Sequence, residues 1–113
     1  MIWKVIEFPE VQEDLNKLDK GKQKQVLKVI DRVRQNPLPQ SEGGYGKSLG
    51  NKNGINLTGC YKIKLKDAGI RIVYRLQRTE HGMEIVIIGV RESAEVYDLA
   101  AKRIERHNVN GGD

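Results

Sequence analysis

The stretch from Cys60 to Leu76, CYKIKLKDAGIRIVYRL, decides the fold of this chain. Two runs of alternating apolar and basic residues flank the short breaker Asp67-Ala68-Gly69, a pattern typical of a half-buried β-hairpin. Because side chains alternate along a strand, the apolar residues of both runs can share one face of the hairpin. The opposite face then collects the cations Lys62, Lys64, Arg71 and Arg75.

Positive charge is concentrated on this hairpin. Residues 60–78 contain six Lys and Arg and one acid, an excess as large as the net charge of +5 of the whole chain of 113 residues. A cationic surface on a rigid sheet favours an acidic partner, which is either nucleic acid or an acidic protein.

The flanking sequence predicts helices and further strands. The stretch 2–8 has the alternation of a strand, and Pro9 suits the first turn of a helix. Two amphipathic helices follow and end at Asn36-Pro37. Residues 83–90, MEIVIIGV, are apolar on both faces and predict a central strand. A closing helix then presents an apolar stripe made of Val96, Tyr97, Ala100 and Ile104.

These elements predict one α+β domain in the order β-α-α-β-β-β-α, with a mostly antiparallel sheet and helices on one face. The domain is expected to cover residues 1–106, and the polar residues 107–113 to form a flexible tail. The segment 36–59 holds six of the twelve glycines and is the least regular part of the pattern. A loop of this length in a compact domain is often functional.

Several kinds of chemistry are disfavoured by composition. Cys60 is the single cysteine, so it is expected to pack rather than to ligate zinc or attack a substrate. His81 and His107 have no ligand spacing and are expected to be solvated. We therefore expect no metal and no cofactor. No apolar run approaches membrane-spanning length, and the predicted location is the cytoplasm, with no membrane contact.

The remaining Lys, Arg and Tyr residues can still cleave RNA, because the 2′-hydroxyl of the substrate is the nucleophile. Guanidinium groups can hold the phosphate, and a lysine crowded by other cations has a lowered pKa and can act as a base. A tyrosine can stack on a nucleobase. A basic sheet that binds nucleic acid without cutting it needs the same residue types, and residue types alone favour that simpler interpretation.

The runs CYKIKLKDAGIRIVYRL and VIIGVRESAEVYDLAAKRI resemble the RelE branch of the RelE/ParE toxin superfamily. The likeness covers residues 2–106 and is specific between Cys60 and Ile104. It implies a compact sheet with helices on one side, and a type II toxin that is a ribosome-dependent mRNA endonuclease and inhibits translation. With cationic side chains in place of a Lewis acid, we expect a metal-independent reaction by 2′-hydroxyl attack.

The resemblance also assigns site residues by matching positions. It implies a catalytic set in which Lys62 and Lys64 include the general base, Arg71 holds the scissile phosphate, Arg91 stabilises the transition state or acts as the acid, and Tyr97 lies near the cleaved nucleotide. Additional RNA contacts are expected from the basic residues Lys47, Lys52, Lys66 and Arg75.

The partners implied are a RelB-like, acidic and helical antitoxin, and a ribosome with mRNA in its decoding site. Operator DNA is expected only for the toxin–antitoxin complex. Two alternatives stay open at this point. One is a ParE-like toxin acting on DNA gyrase, which usually lacks the full Lys, Arg and Tyr set. The other is a non-catalytic RNA-binding module, which would have no place for the first strand and the paired N-terminal helices.

Overall fold

The structure is a computed structural model that describes residues 2–52, 55–90 and 93–111. Five strands and three α-helices are assigned within these ranges. In chain order they are β1 (Lys4–Glu7), α1 (Glu10–Asn16), α2 (Lys20–Val33), β2 (Lys47–Lys52), β3 (Ile55–Leu65), β4 (Ile70–Gln77), β5 (Gly82–Gly89) and α3 (Ser93–Gly111).

The hairpin predicted from the central stretch is confirmed. β3 and β4 are antiparallel, with Tyr61 opposite Tyr74 and Lys64 opposite Arg71. The turn between them ends at Gly69, whose φ of 66° lies in the left-handed region that glycine adopts without steric cost.

The sheet has the order β1-β5-β4-β3-β2, in which β1 and β5 are parallel and the other neighbours are antiparallel. This confirms the predicted α+β class with a mostly antiparallel sheet. β5 lies between β1 and β4, as its two apolar faces predicted. Ile85, Val86, Ile87 and Ile88 on this strand are all buried.

One strand was not predicted. β2 lies within the segment expected to be irregular and pairs with β3 through a register shift between Ser48 and Gly50. Its sequence, KSLGNK, has one large apolar residue, Leu49, which is buried together with Leu57 of β3. A strand that contributes so little apolar surface has no visible alternation, and its position is fixed by pairing with β3.

The N-terminal helices complete one side of the core. Asp19 caps α2 by accepting a hydrogen bond from the backbone N–H of Lys22 at 2.8 Å. The connection after α2 lies over the sheet face that carries Tyr74, since the Tyr74 hydroxyl donates to the Pro37 carbonyl at 2.8 Å.

α3 packs on the other face of the sheet, so the expectation of helices on one face is corrected. Residues of α3 such as Ala101 line a groove together with Cys60 and Arg75, whose side chains alternate with those of Tyr61 and Tyr74. β5 is apolar on both faces, and Val73 of β4 is buried on the second face, so the sheet needs cover on both.

α3 also continues beyond the predicted domain end at residue 106, to Gly111. His107, expected to be solvated in a flexible tail, is partly buried: its ring packs at a tilt against Phe8 with centroids 4.3 Å apart, and its Nε2 lies 3.0 Å from Glu10 Oε1. Among the described residues, no helix combines the length and the apolar character needed to cross a membrane.

Candidate active site

The cations of the central hairpin form two adjacent rows across the sheet. In the first row Lys47 of β2 lies opposite Lys62 of β3. In the second, Lys64 of β3 lies opposite Arg71 of β4. Lys62 and Lys64 are two residues apart on one strand and so share a face. We call Lys47, Lys62, Lys64 and Arg71 the cationic cluster.

Like charges placed directly opposite each other destabilise a sheet, because their Cβ atoms are only about 5 Å apart. This chain has two such pairs in neighbouring rows, Lys47 with Lys62 and Lys64 with Arg71. Local charge repulsion that the fold does not need is a feature of functional sites. A bound polyanion would relieve it.

The electrostatics single out Lys64 within the cluster. The neighbouring cation Lys62 lowers the pKa of the Lys64 ammonium below its usual value, and Arg71 and Lys47 act in the same direction. Lys64 is also exposed, whereas Lys62 and Arg71 are partly buried. A lysine with a lowered pKa, in reach of solvent, is the member of the cluster best suited to accept a proton.

Tyr97 reaches the same place from α3. It is 5% exposed, and it acts electrostatically on Lys64, whose pKa it raises in opposition to the cations. Its hydroxyl is buried and has no hydrogen-bond partner within the described part of the chain. A buried hydroxyl without a partner is rare in proteins, and at a cationic site it provides a donor for a ligand.

Gly89 makes this approach of α3 possible. It lies opposite Arg71 at the end of β5, and a Cβ atom there would be 2.7 Å from Cγ2 of Val96. Any larger residue would push the first turns of α3 away from the sheet. Sequence analysis did not identify this role, although a glycine at the end of an otherwise apolar strand was its signal.

Arg75 is separated from the cluster, although it shares a face of β4 with Arg71. Its Nε donates to a carboxylate oxygen of Glu84, and its guanidinium carbon lies 5.2 Å from the centroid of the Phe8 ring. The structure therefore does not bring Arg75 to the other predicted RNA contacts, and it gives this arginine a structural environment.

The other predicted contacts have different positions. Lys47 lies in the cluster, as its pairing with Lys62 requires. Lys66 is exposed in the β3–β4 turn, two residues beyond Lys64. Lys52 ends β2, and Arg91 lies outside the described residues.

A buried ion pair that sequence analysis missed fixes α3 to the rest of the domain. Asp14 of α1 accepts two hydrogen bonds from the Arg103 guanidinium, at 2.7 and 2.9 Å, and a third from the backbone N–H of Ile88 at 3.0 Å. Arg103 also donates to the Val86 carbonyl. These bonds hold α1, β5 and α3 together.

Neither a metal nor a reactive thiol is indicated near the cluster. The ranges that the structure describes contain no group of three or more His, Cys, Asp or Glu residues able to hold a metal ion. Burial raises the pKa of the Cys60 thiol to about 11, so this side chain packs, as predicted.

Comparison with known proteins identifies the family. The chain is 36% identical over 89 residues to a RelE-like toxin protein of Escherichia coli, a match that covers 78% of this chain and 82% of that protein. The chain belongs to the RelE-like toxin family. The resemblance drawn from the hairpin and the closing helix is thereby confirmed, although no protein-family model matches the chain.

The present chain is also similar to the mRNA interferase toxin RelE of Escherichia coli K12. The two are 44% identical over 45 residues, a match that covers 40% of this chain and 47% of that protein. Solved structures agree. The fold matches a mutant of Escherichia coli RelE in the free state with a TM-score of 0.72 and 27% identity, over 92% of this chain and 99% of that one. The same mutant in complex with an antitoxin RelB peptide matches with a TM-score of 0.65 and 25% identity, over 88% and 95% of the two chains.

Proposed function

We propose that this RelE-like toxin is an mRNA interferase, an endoribonuclease that inhibits translation by cutting mRNA. The observation that carries the proposal is the cationic cluster, in which Lys64 has a lowered pKa and lies opposite Arg71 beside the buried hydroxyl of Tyr97. Membership of the RelE-like family supports it over the gyrase and non-catalytic alternatives.

The chemistry follows from these groups. Neutral Lys64 accepts the proton of the substrate 2′-hydroxyl, and the 2′-oxygen attacks the adjacent phosphorus. The bond from phosphorus to the 5′-oxygen breaks, which leaves a 2′,3′-cyclic phosphate, and the departing oxygen takes up a proton. Arg71 meets the negative charge of the phosphate as it develops in the transition state.

Two further residues complete the proposed site. The Tyr97 hydroxyl supplies a hydrogen-bond donor near the cleaved nucleotide, for which its lack of a described partner is the support. Arg91, by its match to the family pattern, is assigned to transition-state stabilisation or to protonation of the leaving oxygen. Such a site needs no Lewis acid, so the reaction is proposed to be metal-independent.

The ribosome is part of the proposal because this site has poor proton-transfer groups near neutral pH. Most Lys and Arg side chains stay protonated near neutral pH and are poor proton-transfer groups there. Binding in the decoding site would bend and order the mRNA, and alignment of the 2′-hydroxyl with the phosphate would raise the rate. We therefore expect free mRNA to be cut slowly.

Control of such an enzyme requires a partner. We propose an acidic, helical, RelB-like antitoxin as the partner, with operator DNA bound by the toxin–antitoxin complex alone. The structure of the Escherichia coli RelE mutant in complex with an antitoxin RelB peptide supports the antitoxin as partner. The cytoplasm, where ribosomes and mRNA meet, is the proposed location.

The test uses a defined mRNA, free and on programmed ribosomes, with magnesium kept at the level that ribosomes require. We expect cleavage on ribosomes, little cleavage of free mRNA, and products with a cyclic or 3′-phosphate and a 5′-hydroxyl. Chelation of trace transition metals should not change the rate. Products with 5′-phosphate ends, or equal rates on free and bound message, would contradict the mechanism.

A further inference from the structure

The outer side of α2 carries a line of cations that neither the fold nor the proposed cleavage uses. Val26, Ile30 and Val33 are buried on the core side of this helix. On the opposite side four exposed cations recur every four residues, over an axial length of about 18 Å. We call them the α2 stripe: Lys20, Lys24, Lys28 and Arg32.

The charge of the stripe is not neutralised by its surroundings. α2 contains five Lys and Arg residues and one acid, Asp31. Asp31 lies 3.8 Å from Arg34 beyond the end of the helix, and none of the four stripe cations has an ion pair within the described ranges. The stripe therefore presents four positive charges to solvent along one line.

The stripe and the cationic cluster belong to opposite sides of the domain. The connection that follows α2 lies over Tyr74, through the hydrogen bond from its hydroxyl to the Pro37 carbonyl. Tyr74 alternates along β4 with the residues that share the face of Arg71 and Lys64. An RNA strand bound at the cluster consequently does not run along the stripe.

The chemistry of the stripe fits a polyanion better than a protein. The core of a protein interface is apolar and depleted of lysine, with anchoring aromatic side chains. Among the large apolar side chains of α2, Leu27 is exposed, at 53%, and the others face the core. Evenly spaced cations that stay hydrated are typical of contacts to a phosphate backbone.

We propose that the α2 stripe binds the phosphate backbone of an RNA segment separate from the strand that is cut. This inference rests on the proposed function. For an enzyme that acts on the ribosome, the separate segment is structured RNA of the ribosome. The stripe then holds the enzyme on the ribosome while the cluster on the opposite side acts on the message.

Counterion release gives the size of the effect. Each phosphate contact contributes about 0.7 to 0.9 to the slope of log affinity against log salt, so loss of two contacts lowers this slope by about 1.5. At about 0.1 M salt the same loss weakens binding by more than tenfold.

The experiment compares two variants of equal net charge. Lys24→Gln/Lys28→Gln removes two central cations of the stripe, and glutamine keeps the helix propensity of lysine. Lys4→Gln/Lys102→Gln removes two exposed cations elsewhere, on β1 and α3. Binding of each full-length variant to purified small ribosomal subunits without mRNA is measured over a range of salt, after thermal melts confirm folding.

We expect the stripe variant to bind the subunits more than tenfold more weakly at about 0.1 M salt, with a lower salt slope, and the control variant to bind like the native protein. Equal affinities for the two variants would overturn the inference. Weaker binding to the antitoxin, with unchanged binding to the subunit, would assign the stripe to a protein partner and would also overturn it. Subunit binding is measured without cleavage, so failure of the proposed enzymatic function gives a different result, in which the native protein binds but does not cut.

Discussion

Arg71 and Arg75 lie on the same face of β4, four residues apart, and have different surroundings. Arg71 faces Lys64 in the cationic cluster and is partly exposed to solvent. Arg75 faces Cys60, donates to Glu84 and lies over the Phe8 ring, in the part of the face that α3 covers.

The difference shows what alternation in a sequence determines. It places both arginines on one face of the sheet, but the neighbouring strand and helix decide the role of each. Glu84 of β5 neutralises Arg75, whereas the position on β5 opposite Arg71 is Gly89. An acid in one row and a glycine in the other divide the face into a covered structural half and an accessible half that contains the proposed catalytic residues.

The largest expected effect comes from breaking the covered half. Asp14→Ala removes the acceptor of the Ile88 N–H and the buried partner of Arg103, which keeps only its bond to the Val86 carbonyl. Removing one partner of a buried ion pair costs about 3 to 5 kcal/mol. We expect this loss in the free energy of unfolding, measured by urea denaturation.

A matched control is Asp98→Ala, which removes the partner of Lys102 on the exposed side of α3. Surface pairs of this kind contribute about 0 to 1 kcal/mol. If Asp14→Ala and Asp98→Ala had the same small effect, the ion pair between Asp14 and Arg103 would not be what holds α3 in place.

The next effect separates the two arginines by activity. Arg71→Ala should fold and lose cleavage of mRNA on programmed ribosomes by about one hundredfold or more, as expected for removal of a main transition-state donor. Arg75→Met keeps much of the apolar contact with Phe8 and should retain cleavage within a few-fold at temperatures where it is folded. Loss of activity in Arg75→Met alone would reverse the assignment of the two halves.

The fold could be predicted where pattern and burial coincide. Two-residue alternation over Cys60–Leu76 and the doubly apolar 83–90 determined β3, β4 and β5, because each buries a full face of side chains. β2 could not be found, because Leu49 alone contributes to the core and pairing with β3 decides its place. The cover of the sheet by α3 on the second face depends on Gly89 and Val96, a contact between separate elements.

The candidate site was predictable in part for the same reason. Lys62, Lys64 and Arg71 share a face by alternation, so the sequence alone brought them together. Tyr97 had the position of a core residue in the helical pattern, and its burial agrees with that pattern. Its nearness to Lys64 follows from the packing of α3. Asp14 and Arg103 are 89 residues apart, and no local pattern pairs them.

A smaller effect tests the electrostatics of the accessible half. Lys62→Gln removes the largest cause of the lowered pKa of Lys64. The pKa of Lys64 should then rise, and a higher pH is needed to populate the neutral amine. We expect the ascending limb of the pH–rate profile to move to higher pH, with slower cleavage near neutral pH. Lys66→Gln, two residues from Lys64 in the exposed turn, is the control; an unchanged limb in Lys62→Gln would remove Lys64 from the role of base.

The last effect concerns Cys60, which reports whether α3 covers the half of the face that contains Arg75. With its pKa raised to about 11, only about one thiol in a thousand is ionised at pH 8, and the thiolate is the reactive form. Alkylation by iodoacetamide at pH 8 should therefore be at least a hundredfold slower in the native protein than in urea. Asp14→Ala, by loosening α3, should raise the native rate, whereas Asp98→Ala should not. Rapid alkylation of the native protein would mean that Cys60 is accessible, and the covered half of the face would then be open as well.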